Sequence, residues 1–434
     1  MDTIKNIQAY LDNGVYDEFF KKLYACPAKN VDCYRKRFVD SVNEFYKLFG
    51  DRNQIELFSA PGRAEICGNH TDHQLGHVLA ASVDLDIIAV ASTNNTDIIR
   101  IKSDGFPLDA ISINELTPCE REKNTAAALI RGMVSKFKDM GYRIGGFDAY
   151  TTSDVAEGSG LSSSAAFEVI IGNIIKELFY NPRVTDIEIA KAGQYAENVY
   201  YGKPCGLMDQ LACSIGGIIS VDFSNPSVTS IDKIDYELAY SGFSMCIIDS
   251  GGSHKEFGAE YTAIRNEMMS VAEFFNCKVL SQVSKKDFFS KIPQLRLKLG
   301  DRAVLRAMHF FEEEKRVEIL SEALKKNDKP LILKTINESG QSSAMYLQNL
   351  YSPKNIKQQS VPIALAMCDK ILKGRGAYKV HGGGFAGTVQ AFVPNDLVKV
   401  FKQEIEKVLG KGTCRTVNIR SVGGTKIQSI NTNL

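Results

Sequence analysis

The chain carries no charge surplus, no long uninterrupted apolar run, no paired-cysteine motif and no internal repeat, and each absence removes a class of function. Its 434 residues hold 52 Lys and Arg against 51 Asp and Glu, a formal charge of +1, so no overall field draws it to nucleic acid or to an anionic membrane surface. Charge interrupts the most apolar stretches, Asp84 and Asp86 within 78–91 and Glu168, Lys176 and Glu177 within 165–179, which excludes a membrane-spanning helix there. The ten cysteines include no CxxC pair. In a chain this long they read as reduced thiols of a cytoplasmic protein. The first twenty residues carry acidic side chains early and lack an apolar run followed by small residues, so they are expected to stay in the mature protein.

What is present is an ordinary globular composition, 44% hydrophobic and 24% charged, with two domains as the default for this length. Apolar residues at helical spacing over 17–49, interrupted near Pro27, predict two helices closed by Gly50. Ile55–Pro61 and Val78–Ala91 are rich in β-branched and small apolar residues and predict strands; Asn94-Asn95 before Asp97–Lys102 reads as a hairpin. Helices are expected over 125–140 and 164–180, then near 255–276, 301–326, 329–347, 359–373 and 396–409, with alternating apolar residues over Tyr378–Val393 and at Thr416–Ser421. Helices and strands interleave without regular βαβ spacing, which argues for an α+β architecture of two lobes.

Three segments carry chemistry. Glu157-Gly-Ser-Gly-Leu-Ser-Ser-Ser-Ala-Ala166 lies between a predicted strand, Gly146–Thr152, and a predicted helix. Glycines let backbone N–H groups approach phosphate oxygens, a helix N-terminus adds partial positive charge, and serine hydroxyls can donate to phosphate or ligate Mg. It lacks the Gly-Lys-Ser/Thr of a Walker loop and the third glycine of a dinucleotide fingerprint, and alone it reads equally as a Gly/Ser loop with a serine N-cap. Cys67, His70, His73 and His77 fall within eleven residues and offer thiolate and imidazole for zinc. Gly68 and Gly76 break that run into a loop, where Asn69, His70 and Asp72 can instead hydrogen-bond several sugar hydroxyls together. Asp209 follows Pro204 and Gly206 and stands among Leu207, Met208 and Leu211. A carboxylate in that company is desolvated or paired with a cation, for which Arg63 is the partner to propose, or else it caps a short helix.

Taken in order, these segments resemble the galactokinases of the GHMP kinase superfamily. Pro61-Gly-Arg-Ala-Glu-Ile-Cys-Gly-Asn-His-Thr-Asp-His is similar to the PGRVNLIGEHTDY signature, Gly158-Ser-Gly-Leu-Ser-Ser-Ser-Ala-Ala to GxGLSSSAA, Cys205-Gly-Leu-Met-Asp-Gln to CGIMDQ, and Gly382-Gly-Gly-Phe-Ala-Gly387 to GAGFGG. Weaker likenesses lie at His254, Tyr261 and Arg265 and at Arg306–His309. The resemblance runs from about residue 45 onward.

It implies a kinase that uses ATP and Mg2+ to phosphorylate the anomeric hydroxyl of galactose. Asp209 would accept or orient the hydroxyl proton, and Arg63 would keep that carboxylate ionised. Asn69, His70, Asp72, Gly206 and Tyr261 match sugar-contacting positions. Gly158, Ser159, Gly160, Leu161, Ser162, Ser163 and Ser164 would hold the nucleotide, and Ser164 and Glu197 the metal. The implied fold is a GHMP kinase of two lobes, a mixed-sheet lobe over 45–240 and a ferredoxin-like lobe over 241–434, preceded by a helical extension over 1–44.

The departures concern the sugar. Asn69 stands where the motif has Glu and His73 where it has Tyr. Loss of that charge removes a strong acceptor and a source of repulsion toward a substrate carboxylate, so a galacturonate-like substrate is an alternative. Ala156 replaces a proline, and Lys379-Val-His precedes the glycine cluster in place of the usual approach. A non-catalytic sugar sensor is the other alternative, and the intact Ser164-Ala165 favours an enzyme.

Overall fold

The computed structural model describes residues 3–25, 30–155, 160–203, 205–225, 229–251, 257–354, 356–385 and 387–429. Three helices come first, α1 (Ile4–Asp12), α2 (Asp17–Leu23) and α3 (Val31–Phe49). The first lobe continues through β1 (Glu56–Cys67), β2 (His77–Thr93), β3 (Ile98–Ser103), β4 (Leu108–Ser112), α4 (Ala126–Asp139), β5 (Phe147–Ser153), α5 (Ser163–Leu178), α6 (Asp186–Tyr195), a π-helical turn (Ala196–Tyr201), α7 (Met208–Ile215), β6 (Ile218–Asp222) and β7 (Ser230–Ile234). The second contains β8 (Phe243–Asp249), α8 (Gly258–Phe274), α9 (Lys285–Leu299), α10 (Asp301–Lys325), α11 (Lys329–Ser342), α12 (Ser360–Leu372), β9 (Ala377–His381), β10 (Thr388–Pro394), α13 (Val398–Leu409) and β11 (Cys414–Val417), and the last strand, β12 (Thr425–Lys426), lies back in the first lobe.

The strands of the first lobe form an eight-stranded sheet in the order β12-β1-β2-β5-β3-β4, with β6 and β7 continuing from β2. Strand alternation sends successive side chains to opposite faces. Leu57, Ile88, Val90 and Tyr150 therefore meet the N-terminal helices, packing with Phe20, Phe38 and Phe45. Phe58, Ala60, Ala89 and Ala91 meet α5, whose Val169, Ile170 and Ile174 are fully buried. Covered on both faces, β1 is buried along its whole length. The second lobe is a βαββαβ unit with antiparallel strand order β11-β8-β10-β9, the ferredoxin-like arrangement. Helices α12 and α13 cover one face through Val361, Cys368, Phe401 and Ile405. The other face, with Met245, Ile247 and Phe392, joins the core that also holds α5 and β1.

Four expectations change. β1 does not stop at Pro61 but runs to Cys67, with the sheet register slipping between Pro61 and Arg63 and again between Glu65 and Cys67; proline is tolerated in a strand at such irregularities. The Asn94-Asn95 turn does not close a hairpin, because β5 lies between β2 and β3. Asn94 splays the two strands, its Nδ2 donating to the Ile98 carbonyl at 2.9 Å and to Asp148 at 2.8 Å. Helix α9 was not anticipated; it contains Pro293 and buries only Phe288 and Leu295, so its apolar period is faint. The expected divisions are also crossed: α3 continues through residue 44 to Phe49, ending on Gly50 at φ 73°, and the chain after β11 returns to the first lobe, where β12 pairs with β1.

That return is fixed by Asp86, which is fully buried. It accepts from Tyr24 at 2.7 Å, from Arg420 at 3.2 Å, and from Arg37 and Ser59. Burial by itself would raise this carboxyl, but Arg37 and Arg420 outweigh it and hold it below the ordinary range. The N-terminal helices, the sheet and the C-terminal tail thus share one counterion. Asp86→Asn should cost about 3–5 kcal/mol of unfolding free energy, because it leaves a buried guanidinium unpaired; urea denaturation checks this.

Candidate active site

The slip in β1 turns Arg63 toward α7, where its Nε lies 2.7 Å from Asp209 Oδ1 and its terminal nitrogen 2.8 Å from Oδ2. This is the two-pronged geometry that favours arginine over lysine. Asp209 is the second residue of α7, so the helix N-terminus also favours its charge. Burial acts to raise the Asp209 carboxyl, but Arg63, Ser162 and Lys203 prevail and keep it below the ordinary value. The side chain remains 23% exposed, so the carboxylate keeps a face open to a ligand.

Arg63 also donates to the Gly160 carbonyl, and its backbone N–H donates to Leu161 at 3.0 Å. The contact is close: a Cβ on Gly62 would stand 2.8 Å from the Leu161 oxygen, so only glycine fits. Ser162 occupies the N-cap position of α5, but with φ 58° and ψ 64° it makes no capping bond. Its hydroxyl donates to Asp209 instead, which corrects the expected serine cap. Gly160, Leu161, Ser162, Ser163 and Ser164 thus run beside the ion pair into α5, while Gly158 and Ser159 lie outside the described residues.

On the first turn of α5, Ser164 Oγ donates to Glu197 Oε1 at 2.6 Å. Gln210 Nε2 bridges Glu197 at 3.3 Å and Glu168 at 3.1 Å. Glu168 Oε1 and Gln210 Oε1 are buried without a partner, and burial together with the charge of Glu197 pushes Glu168 well up from its ordinary value. The cluster therefore holds more acceptors than donors.

The expected sugar residues divide into two groups. Asp72 stands beside the ion pair, and Gly206 approaches it so closely that a Cβ there would overlap its carboxyl. Burial and the neighbouring Asp209 push Asp72 up to about 6. The other three face the glycine cluster of the second lobe, each on a successive carbonyl: Asn69 Nδ2 donates to Gly382 at 2.5 Å, His70 Nε2 to Gly383 at 3.0 Å, and Tyr261 to Gly384 at 2.8 Å. His70 and His73 are both held neutral by burial. Protons therefore run one way, Gln74 to His73 Nδ1 at 3.0 Å, His73 Nε2 to His70 Nδ1 at 3.3 Å, then His70 to the Gly383 carbonyl. His254 lies outside the described residues.

Of the cysteine and histidines weighed for zinc, His70 and His73 hydrogen-bond each other, while Cys67 and His77 go to separate carboxylates. Cys67 donates to Glu313 at 3.3 Å, and His77 meets Glu314 at 2.8 Å and Asp222 at 3.2 Å.

Sequence reasoning passed over Glu65 and Asn349 and took Lys379 and His381 only as a departure ahead of the glycine cluster. Lys379, fully buried, lies 3.0 Å from Glu65 Oε1, and His381 Nε2 accepts from the Glu65 backbone N–H at 3.0 Å. Asn349 Nδ2 donates to Asn69 Oδ1 at 2.8 Å and to Gly383 at 3.2 Å. The available signal was charge inside strands: Lys379 and His381 stand two apart on β9, and Glu65 sits within fully buried β1.

The GHMP kinases N terminal domain model matches residues 128–217, which include Glu197, Gly206 and Asp209, and the galactokinase galactose-binding signature matches 43–93, which include Arg63, Asn69, His70 and Asp72. A galactokinase of Glaesserella parasuis serovar 5 is 30% identical over 378 residues, covering 86% of this chain and 94% of that protein. The crystal structure of Lactococcus lactis galactokinase complexed with galactose superimposes with a TM-score of 0.75 at 23% identity, over 88% of this chain and 98% of the other. The mevalonate kinase of Methanococcus jannaschii follows the same fold with a TM-score of 0.59 at 18% identity, over 85% and 99%.

His77 provides a pH test of the packing beside the site. Its hydrogen bond to Glu314, the charge of that residue and then Asp222 push it up to about 9 against burial. A histidine raised in the folded state adds stability that is fully present below its ordinary value and lost as pH rises through the folded one. Wild type should therefore lose stability relative to His77→Gln between about pH 6.5 and 9, measured by denaturant unfolding at pH 6 and 9.5.

Proposed function

The chain belongs to the galactokinase family, and from that premise we propose that it transfers the terminal phosphoryl group of ATP to the anomeric hydroxyl of galactose, giving galactose 1-phosphate. The observation that carries the chemistry is the two-pronged Arg63–Asp209 pair, with Ser162 on the same carboxylate, at the start of the serine run. Asp209, ionised and open on one face, accepts a hydrogen bond from the anomeric hydroxyl and takes its proton as the new O–P bond forms and the bond between the terminal phosphorus and the bridging oxygen breaks, releasing ADP. Phosphoryl transfer through a loose transition state asks little of the nucleophile, so orientation by this carboxylate is its main contribution. Arg63 keeps Asp209 charged and offsets charge on the transferring group.

Asp72 and Gly206 form the sugar wall beside Asp209, while Asn69, His70 and Tyr261 set the wall on the glycine-cluster side by fixing Gly382–Gly384. The nucleotide phosphates would be held by the glycine-serine run, of which the described Gly160–Ser164 lead into the N-terminus of α5, a helix of 16 residues. Magnesium takes oxygen ligands, and the acceptor-rich group of Ser164, Glu197 and the unpartnered Glu168 Oε1 suits it. Ser164 and Glu197 would hold the ion, which supplies positive charge to the phosphate oxygens. The nine described cysteines are all free, and among the described residues no helix is long and apolar enough to cross a membrane; both fit the cytoplasm as the place of the reaction.

The galacturonate alternative loses its premise. The Asn69 amide is engaged by Glu65, Gly382 and Asn349, and a carboxylate still lies against it at residue 65. The complete Arg63–Asp209 pair likewise favours an enzyme over a sensor.

Purified protein assayed with Mg-ATP against galactose, glucose and galacturonate, with coupled detection of ADP, should prefer galactose; transfer to none of them would overturn the reading. Asp209→Asn should lower turnover about 10²–10⁴-fold while ATP binding persists, and undiminished turnover would remove Asp209 from the reaction.

A further inference from the structure

We propose that Glu65 and Asn69 form a transposed carboxylate–amide pair that positions the glycine cluster on the sugar side of the site, so that the charge found at 69 in the resembling motif is carried here at 65. The inference rests on the sugar-kinase reading for its functional consequence and on geometry for the pair itself. In PGRVNLIGEHTDY the amide aligns with residue 65 and the carboxylate with residue 69; this chain has Glu65 and Asn69. A lone change at 69 would have altered the local charge. The two together exchange the groups and leave the charge as it was.

The side chains touch. Asn69 Nδ2 lies 3.1 Å from Glu65 Oε1 and 3.2 Å from Oε2, with the two residues 0% and 3% exposed. Lys379 Nζ, itself 0% exposed, is 3.0 Å from Glu65 Oε1 and 3.4 Å from the Ile66 carbonyl. A buried ammonium needs a counterion, and here it comes from the other lobe. Asn69 is thereby oriented to place its second amide proton on the Gly382 carbonyl, while its own oxygen accepts from Asn349, which also holds Gly383. Glu65 and Asn69 are positioning residues: they act on the sugar through Gly382 and Gly383.

Isosteric substitutions move the charge without changing volume. Asn69→Asp alone sets two carboxylates about 3 Å apart with Lys379 in contact with residue 65 only, and Glu65→Gln alone leaves Lys379 without its nearest counterion. Each single variant should raise the KM for galactose at least tenfold. The KM for ATP and kcat should stay within a few-fold, since Arg63 and Asp209 are untouched; a purely structural role would instead reduce the active fraction, lowering kcat and leaving both KM values unchanged. The double variant Glu65→Gln/Asn69→Asp restores one carboxylate and one amide in contact and should bind galactose better than either single variant. The four melting temperatures should follow the same order, with the double variant above both singles, and this readout holds whether or not the protein phosphorylates galactose. A wild type inactive on every sugar would sink the kinase reading alone. A double variant no better than the worse single one, in both galactose KM and melting temperature, or a double variant that fails to fold, overturns the pair.

Discussion

A guanidinium from the longest-buried strand faces a carboxylate at the start of a short helix, and the rest of the site is arranged around that contact. Buried ion pairs contribute little net stability, because desolvation of both charges offsets their attraction. The Arg63–Asp209 pair therefore adds little to stability, which fits the role in phosphoryl transfer proposed for it. It demands a register slip in β1 to aim the arginine, a glycine at 62 to admit the Leu161 carbonyl, and a left-handed serine at 162 whose hydroxyl leaves the helix cap for the carboxylate.

The two lobes meet through two kinds of contact with different duties. One is an apolar core shared by α5, the β8–β10 face and α10–α11, which is non-directional and gives cohesion. The other is a polar seam in which Glu65, Asn69 and His70 engage Lys379 and the carbonyls of Gly382 and Gly383, while Tyr261 holds the Gly384 carbonyl from within the second lobe. Hydrogen bonds at fixed lengths set where the glycine cluster stands relative to β1, something an apolar core alone does not specify. The Asp86 network performs a related task away from the site, binding the N-terminal helices and the returning C-terminal tail to one carboxylate.

Glu65 alters the meaning of Asn69. Read along the chain, Asn69 is a missing charge in a sugar-binding motif and suggests a changed substrate. With Glu65 and Lys379 in contact, the charge has moved by four positions and is neutralised from the second lobe. Glu168 Oε1 and Gln210 Oε1 are among the buried polar atoms left without a partner in the described residues.

Local sequence pattern is enough for the α+β class, the glycine-serine run leading into α5, the candidates Arg63 and Asp209, and most of the helices. These depend on short-range rules: glycine where backbone must approach closely, helical periodicity, and residue types that a given chemistry requires. It misled at Asn94-Asn95, where a good turn signal says nothing of the strand that will insert between its arms, and it was silent on α9, whose buried side chains are too few to set a period. Long-range packing is what brings Ser162 to Asp209 instead of to its own helix, the tail after β11 to the first sheet, and Asn69 to a Glu65 that is itself paired with Lys379. Each of these turns on partners brought together by packing; Lys379 lies 314 residues from Glu65 along the chain, and no local pattern encodes the distance between two buried charges on different lobes.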